Sequence, residues 1–195
     1  MRNAIVNKIP AFMMIMSFVV LFGWYSHNSY MVQLNSEEST WPPMSQWAAL
    51  LFGVTGLTYL GKRTLRYSLW SACFVGAFSV IFLLERLLGV EILGIDRVWG
   101  DSWASHHFTQ PGRLAFGTGV CFFLISITML IRTRFSREML GSAILAISGL
   151  HILNFGFDPA RIHANTLSQM ATNSAMCFAL WGIFLIYGGR DERSD

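Results

Sequence analysis

Six apolar segments alternate with polar segments along this chain. A helix that crosses a bilayer needs about 17–25 mostly apolar residues, and each of these segments has that length. They lie at residues 9–25, 45–61, 67–84, 114–131, 139–157 and 171–187. The pattern predicts an all-α integral membrane fold with six transmembrane helices. Residues 1–189 would form this single domain, and residues 190–195 would be a short polar tail.

A nine-residue motif recurs at the start of the second, fourth and sixth apolar segments. Each copy opens on a large apolar residue, has a small residue at its sixth position and ends on phenylalanine. The opening residues are Met44, Leu114 and Met170, the small residues are Ala49, Gly119 and Ala175, and the phenylalanines are Phe52, Phe122 and Phe178.

An internal repeat of this kind reveals the unit of an architecture. The chain is therefore predicted to contain three similar helical hairpins. Small residues let helix backbones approach closely in a membrane, so the motif is expected to be a helix-packing device. Larger neighbours such as Phe123 and Phe184 would face lipid or a partner. Direct contact with a ligand is the alternative role of the motif.

The charge distribution orients the predicted helices. Only 13% of the residues are charged, against about 25% in a typical soluble domain. Ten of the 14 basic residues lie before the first segment, after the second, after the fourth and after the sixth. Basic loops stay in the cytoplasm, so both termini are predicted to be cytoplasmic. The predicted partner is the lipid bilayer, and the net charge of +3 does not indicate nucleic acid because the basic residues follow the membrane topology.

The loops at residues 26–44, 85–113 and 158–170 would then lie outside the cytoplasm. From Glu85 to Trp99, apolar residues alternate with charges and glycines, which is typical of a segment at the membrane interface. We expect the outer loops and the outer helix ends to form a shallow sensing site. Its candidate residues are Glu85, Asp96, Trp99, His106, His107, Arg113 and Asn173.

His151 lies well inside a predicted span, where ionisable residues are functional candidates. A bis-histidine haem would need a second histidine at similar depth, which the sequence does not place there, although a methionine could be the second axial ligand. A neutral imidazole bonded to a nearby backbone group or to Asn154 is the simpler interpretation. The prediction is that no cofactor binds, with haem at His151 as the alternative.

Other residue types predict neither a metal site nor catalysis. Adjacent histidines such as His106 and His107 rarely ligate one ion, so no metal site is expected there. The three cysteines fall inside predicted spans, where we expect buried free thiols. We find no Ser/His/Asp arrangement at a common depth, no acidic pair inside the bundle and no phosphate loop, so the chain is predicted not to be an enzyme.

Several short stretches are shared with one class of membrane proteins. They are Leu83-Leu84-Glu85, the loop from Gly89 to Gly94-Ile95-Asp96, the helix start Pro111-Gly112-Arg113-Leu114, and Asn173-Ser174-Ala175-Met176-Cys177-Phe178. In these four stretches the chain resembles the multi-pass N-terminal membrane region of bacterial sensor histidine kinases and diguanylate cyclases. The first two motif copies depart from that pattern, because Gln46-Trp47 and Phe116-Gly117 stand where the family has Pro-Asn.

The resemblance implies a non-catalytic sensory input module in the bacterial inner membrane. Such a module passes a signal through its last helix to a cytoplasmic kinase or cyclase effector, in the same chain or in a partner, and usually works as a homodimer. Because residues 190–195 are too few to be an effector, we expect it beyond residue 195 or in a separate chain. The alternatives are a haem- or cofactor-binding membrane subunit and a structural accessory subunit of a membrane complex.

Overall fold

The computed structural model of the protein describes residues 6–33, 43–61, 65–90, 114–131, 133–157 and 170–188. These residues form seven helices and no strand, which confirms the all-α prediction. The helices are α1 (Ile9–Tyr25), α2 (Ser29–Gln33), α3 (Gln46–Leu60), α4 (Leu65–Leu88), α5 (Phe116–Leu130), α6 (Arg134–Phe157) and α7 (Thr172–Tyr187).

Two helix ends and one additional helix differ most from the prediction. Helix α4 continues to Leu88, so Glu85 lies on a helix and not in a loop. Helix α6 begins at Arg134, which is five residues earlier than expected, and α2 lies within the predicted loop 26–44. Hydropathy locates only the apolar part of a helix, whereas Glu and Arg are good helix formers that extend it. In the first turn of α6, an ion pair between Arg134 Nε and Glu138 Oε1 spans 2.8 Å.

The helices pack as three antiparallel pairs, α1 with α3, α4 with α5, and α6 with α7. Smaller contacts join α3 to α4, α5 to α6 and α7 to α1, which closes the three pairs into a ring. Small residues bring paired helices close together. A Cβ atom added at Gly56 would lie 2.8 Å from the Pro10 carbonyl oxygen, and one added at Gly182 would lie 2.8 Å from the Gly141 carbonyl oxygen. The three predicted helical pairs are thus present in the fold.

The first helices of the pairs repeat one another as well. In α1, α4 and α6, four buried residues recur with spacings of three, four and three. They are Pro10, Met13, Ser17 and Val20 in α1, Ala72, Val75, Ser79 and Phe82 in α4, and Gly141, Ile144, Ser148 and His151 in α6. This spacing places each set on one face of its helix. The repeat therefore covers whole helix pairs and not only the motif.

Three phenylalanine rings meet where the three pairs converge. Phe52, Phe122 and Phe178 are all fully buried. Their ring centroids are 4.7 Å apart between Phe52 and Phe122, 4.7 Å between Phe52 and Phe178, and 4.9 Å between Phe122 and Phe178. The tilted and edge-to-face arrangements are those that aromatic pairs prefer. Because each pair contributes the same motif position, the rings define a pseudo-threefold axis.

The small motif residues face other helices, as predicted. Ala49 and Ala175 are 0% exposed, and a Cβ atom added at Gly119 would lie 3.1 Å from the Leu83 side chain. Of the larger neighbours, Phe123 is 38% exposed as expected, but Phe184 is buried. The prediction for Phe184 was wrong because Tyr59 of α3 covers it, with the two ring centroids 5.3 Å apart.

Membrane-crossing capacity differs among the helices. By length and hydropathy, one helix in the described residues, spanning Arg66–Leu88, could cross a membrane on its own. The apolar helices α1, α5 and α7 are shorter, at 17, 15 and 16 residues. With a rise of about 1.5 Å per residue, such helices are about 23–26 Å long, below the roughly 30 Å of a hydrocarbon core. One such helix is weak evidence of membrane association, and six spans are not established by length alone.

Candidate functional site

Helices α3, α5 and α7 all begin at one end of the bundle, which we call the motif end. The residues before them, Ser45, Ala115 and Ala171, share an extended backbone conformation. In each case the carbonyl accepts a hydrogen bond from the small motif residue four positions later, at 2.9–3.0 Å. Only Ser45 also caps its helix with a side chain, since its Oγ accepts from the Ala48 N–H at 3.1 Å. The first turns of α5 and α7 therefore begin without a side-chain cap.

The first pair is tied together at the motif end by the Val32 and Met44 backbones. The Trp24 indole N–H donates to the Met44 carbonyl at 2.9 Å. The Val32 carbonyl accepts from the Met44 N–H at 3.3 Å and from Asn173 Nδ2 at 3.2 Å. Asn173 lies in the first turn of α7, so this bond links α7 to the first pair. The predicted sensing residue Asn173 is thus a buried connector at the motif end.

His151 lies at the motif end of α6 and is 6% exposed. The Met170 backbone lies close to its imidazole. A nearby backbone group and Asn154 were the two hydrogen-bond partners expected from the sequence, and Asn154 is exposed. The ring atom Nε2 is buried and has no hydrogen-bond partner within the described residues, and the same holds for Thr172 Oγ1 on α7.

The interfaces between pairs differ in chemistry at equivalent positions. Trp47 of α3 packs on α4, with ring-centroid distances of 5.0 Å to Phe78 and 6.1 Å to Phe82. The motif position of Trp47 is Gly117 in the second copy and Asn173 in the third. Among the four buried residues that recur in α1, α4 and α6, the last is Phe82 in α4 and His151 in α6. The pairs are therefore alike at the axis and different at the motif end, where binding specificity can arise.

Glu85 is the one predicted sensing residue on α4. It is 2% exposed and lies in the last turn of the helix, near the motif end. The expectation that it belongs to an accessible loop was wrong, because α4 continues past it and buries its side chain. The remaining sensing candidates, Asp96, Trp99, His106, His107 and Arg113, lie outside the described residues.

The cysteines and other metal-binding residue types do not cluster in the described part of the chain. No group of three His, Cys, Asp or Glu side chains there could hold a metal ion. Cys121 and Cys177 are buried free thiols as expected, but Cys73 is exposed on α4. The prediction failed for Cys73 because the face of α4 on which it lies has no neighbouring helix among the described residues.

Sequence reasoning did not single out Ser17. Ser17 Oγ donates to the Ala49 carbonyl at 2.6 Å and joins the two helices of the first pair. Aligning the first helix of each hairpin would have found it, because Ser79 and Ser148 stand at the same position of the four-residue repeat.

Comparison of the chain with protein-family models, with curated proteins and with solved structures found no match.

Proposed function

We propose that this chain is a non-catalytic sensory input module with six spans in the bacterial inner membrane. It would pass a signal through α7 to a cytoplasmic kinase or cyclase effector, in the same chain or in a partner, and work as a homodimer. The observation that carries this proposal is the course of α7, which runs from the polar motif end, past the axis, to Tyr187 at the opposite end. We call that opposite end the exit end.

The distribution of apolar surface supports insertion in a bilayer. Helices α1, α4 and α6 lie on the outside of the ring and expose large apolar side chains. Examples are Phe18 at 71%, Trp70 at 68%, Leu87 at 70%, Phe135 at 73% and Leu150 at 61% exposure. Polar side chains such as Ser79, Thr55 and Ser148 are instead fully buried between helices. Exposed apolar surface of this extent is typical of a membrane or protein contact.

Reporter fusions test the proposed topology. A fusion after Asp195 is expected to report the cytoplasm, and an insertion at residues 109–111 is expected to report the opposite side of the membrane. The reason is that ten of the 14 basic residues lie on one side of the predicted bundle. A fusion after Gly61, in the turn between α3 and α4, is the control and should match the Asp195 fusion. Reporting of the same side by the Asp195 fusion and the 109–111 insertion would exclude six spans.

Helix α7 contacts neighbouring helices along its length, from its start at the motif end to the exit end. Asn173 bonds to the first pair at the motif end. Phe178, in the middle of the bundle, and Trp181, about one turn closer to the exit end, are both fully buried. At the exit end, the rings of Trp181 and Phe184 both pack edge-on against Tyr59, each at a centroid distance of 5.3 Å. A stimulus can shift such a helix only if it binds two packings of the bundle differently.

A chimera with a cyclase domain fused after residue 195 tests signal transmission. Inserting two residues after residue 189 is expected to change cyclase output several-fold, because it rotates the fused domain by about 200° relative to α7. Inserting seven residues is the matched control, since it nearly restores the phase. Replacing residues 91–113 with a short Gly/Ser linker should also alter output without preventing membrane insertion. Unchanged output in every one of these chimeras would indicate a passive anchor or accessory subunit.

A haem- or cofactor-binding subunit is the second candidate, and His151 favours it. Its Nε2 is buried without a partner in the described residues, and it is the ring atom that could ligate an iron. A visible absorption spectrum of the purified protein separates this candidate from the first. A haem band in stoichiometric amount would favour the cofactor role.

A further inference from the structure

We propose that Tyr59 is the positioning residue that couples the second helix pair to the exit end of α7. It lies in the last turn of α3 and contacts α5 through its hydroxyl and α7 through its ring. A movement of α4 or α5 would reach the last turns of α7 through this side chain. The inference deepens the proposed sensory function and rests on it for the effect on effector output, whereas the coupling itself is measured separately.

The ring of Tyr59 packs against two aromatic side chains of α7. Its centroid lies 5.3 Å from that of Trp181 and 5.3 Å from that of Phe184, with interplanar angles of 87° and 83°. Both are edge-to-face contacts, a geometry that aromatic pairs prefer. Trp181 is fully buried and Phe184 is 6% exposed, so these rings are closely packed on their other sides as well. A displacement of the Tyr59 ring therefore acts directly on the last turns of α7.

The hydroxyl of Tyr59 joins this ring to α5. Its oxygen lies 3.2 Å from Thr128 Oγ1. Thr128 already donates its hydroxyl hydrogen to the Ile125 carbonyl at 2.7 Å, so in this bond Tyr59 donates and Thr128 accepts. Because Thr128 is only 3% exposed, little water reaches its side of the bond. The hydrogen bond therefore ties the position of the Tyr59 ring to α5.

Helix α4 is hydrogen-bonded to the chain neighbours of both partners of that bond. Ser68 Oγ donates to the Met129 carbonyl on α5 at 2.9 Å. The hydroxyls of Ser71 on α4 and Thr58 on α3 are hydrogen-bonded at 2.7 Å. Met129 directly follows the acceptor of the bond, and Thr58 directly precedes its donor. Both helices of the second pair are therefore connected to the ring that contacts α7.

This junction breaks the internal symmetry of the bundle. The axial phenylalanines are equivalent in the three pairs, but seven residues further along the corresponding residues are Tyr59, Met129 and Leu185. That position lies about two helical turns closer to the exit end. Methionine and leucine have neither a ring nor a hydroxyl, so they cannot make the two kinds of contact that Tyr59 makes. The coupling is therefore specific to the helix that carries the tyrosine.

Hydrogen–deuterium exchange of the purified full chain in detergent tests the coupling. Tyr59→Phe keeps the ring contacts with α7 and removes the hydroxyl. Thr128→Val removes the same hydrogen bond from the α5 side with little change of shape, and the double variant combines both changes. Ser17→Ala is the matched control, because it removes another buried hydrogen bond between helices, 2.6 Å long and accepted by the Ala49 carbonyl, that does not involve α7.

In Tyr59→Phe, the amides of residues 181–187 are expected to exchange about fivefold faster, the factor that corresponds to the net contribution of one hydrogen bond. Residues 172–178, in the other half of α7, should keep their exchange rates. Thr128→Val should have the same effect as Tyr59→Phe. The double variant should have no larger effect than either single variant, because all three remove one bond. Ser17→Ala should leave the exchange of residues 181–187 unchanged.

Four results would each overturn the proposal. They are unchanged exchange of residues 181–187 in Tyr59→Phe, an equal increase along the whole of α7, additive effects in the double variant, and the same increase in Ser17→Ala. In the cyclase chimera, Tyr59→Phe is expected to change output. Faster exchange with unchanged output would support the coupling and count against the sensory function. A chimera whose output depends on helix phase, together with unchanged exchange in Tyr59→Phe, would do the reverse.

Discussion

Replacing Phe178 with alanine is expected to destabilise the bundle by about 3–5 kcal/mol, the usual cost of truncating a buried phenylalanine. The ring is fully buried and lies 4.7 Å from Phe52 and 4.9 Å from Phe122 between ring centroids. Its removal leaves a cavity on the pseudo-threefold axis that three helices cannot close by moving toward one another. Thermal unfolding in detergent, followed by circular dichroism, measures the effect.

Phe18→Ala on α1 is the matched control. Phe18 is 71% exposed and stacks on Phe22, at a centroid distance of 6.4 Å. Its truncation should change stability by less than about 0.5 kcal/mol, as for most surface substitutions. The Phe52, Phe122 and Phe178 substitutions should also be non-additive, because each removes contacts that the other two share. Equal effects of Phe178→Ala and Phe18→Ala would contradict the axial packing.

Replacing Gly141 with leucine is expected to separate α6 from α7 and to lower stability by about 3 kcal/mol, at the upper end of overpacking costs. A Cβ atom at this position would already lie 2.9 Å from the Leu185 Cβ and 3.1 Å from the Gly182 carbonyl oxygen. The obstructing atoms belong to the backbone and to the root of a side chain, so they cannot rotate away. The midpoint of thermal unfolding should fall by about 6–12 °C for a chain of this size.

Gly149→Leu, on the same helix, controls for the loss of a helical glycine. Nothing lies within 4 Å of a Cβ atom added at Gly149. This variant should be neutral or slightly more stable, because leucine has a higher helix propensity than glycine. A similar loss in both variants would mean that the α6–α7 contact is looser than the structure indicates.

The fold was predicted best where the signal depends on composition along one helix. Apolar runs located the six long helices, and α1 matched its expected bounds, Ile9–Tyr25. Helix ends were less accurate at Glu85 and Arg134, since charged residues there continue a helix that hydropathy alone would end. The short helix Ser29–Gln33 was missed because its five residues form no apolar run.

The site was predicted less well than the fold, for a physical reason. Polar residues of the outer loops and outer helix ends were the expected ligand contacts, but Glu85 and Asn173 are buried at the motif end. Whether a polar side chain is buried, and what it bonds to, depends on neighbours that are distant along the chain. The bond from Asn173 to the Val32 carbonyl, 141 residues away, is one that no local pattern indicates.

The amino-acid sequence by itself determined the helical class, the positions of the long helices and the threefold repeat. These follow from local hydropathy and from residues that recur at fixed spacing, such as Phe52, Phe122 and Phe178. Only the tertiary structure decided that these three rings meet on one axis, that Gly141 lies against Gly182, and that Asn173 bonds to the Val32 carbonyl. Such contacts depend on how antiparallel helices align in register, and that alignment is set by close packing between residues far apart in the chain.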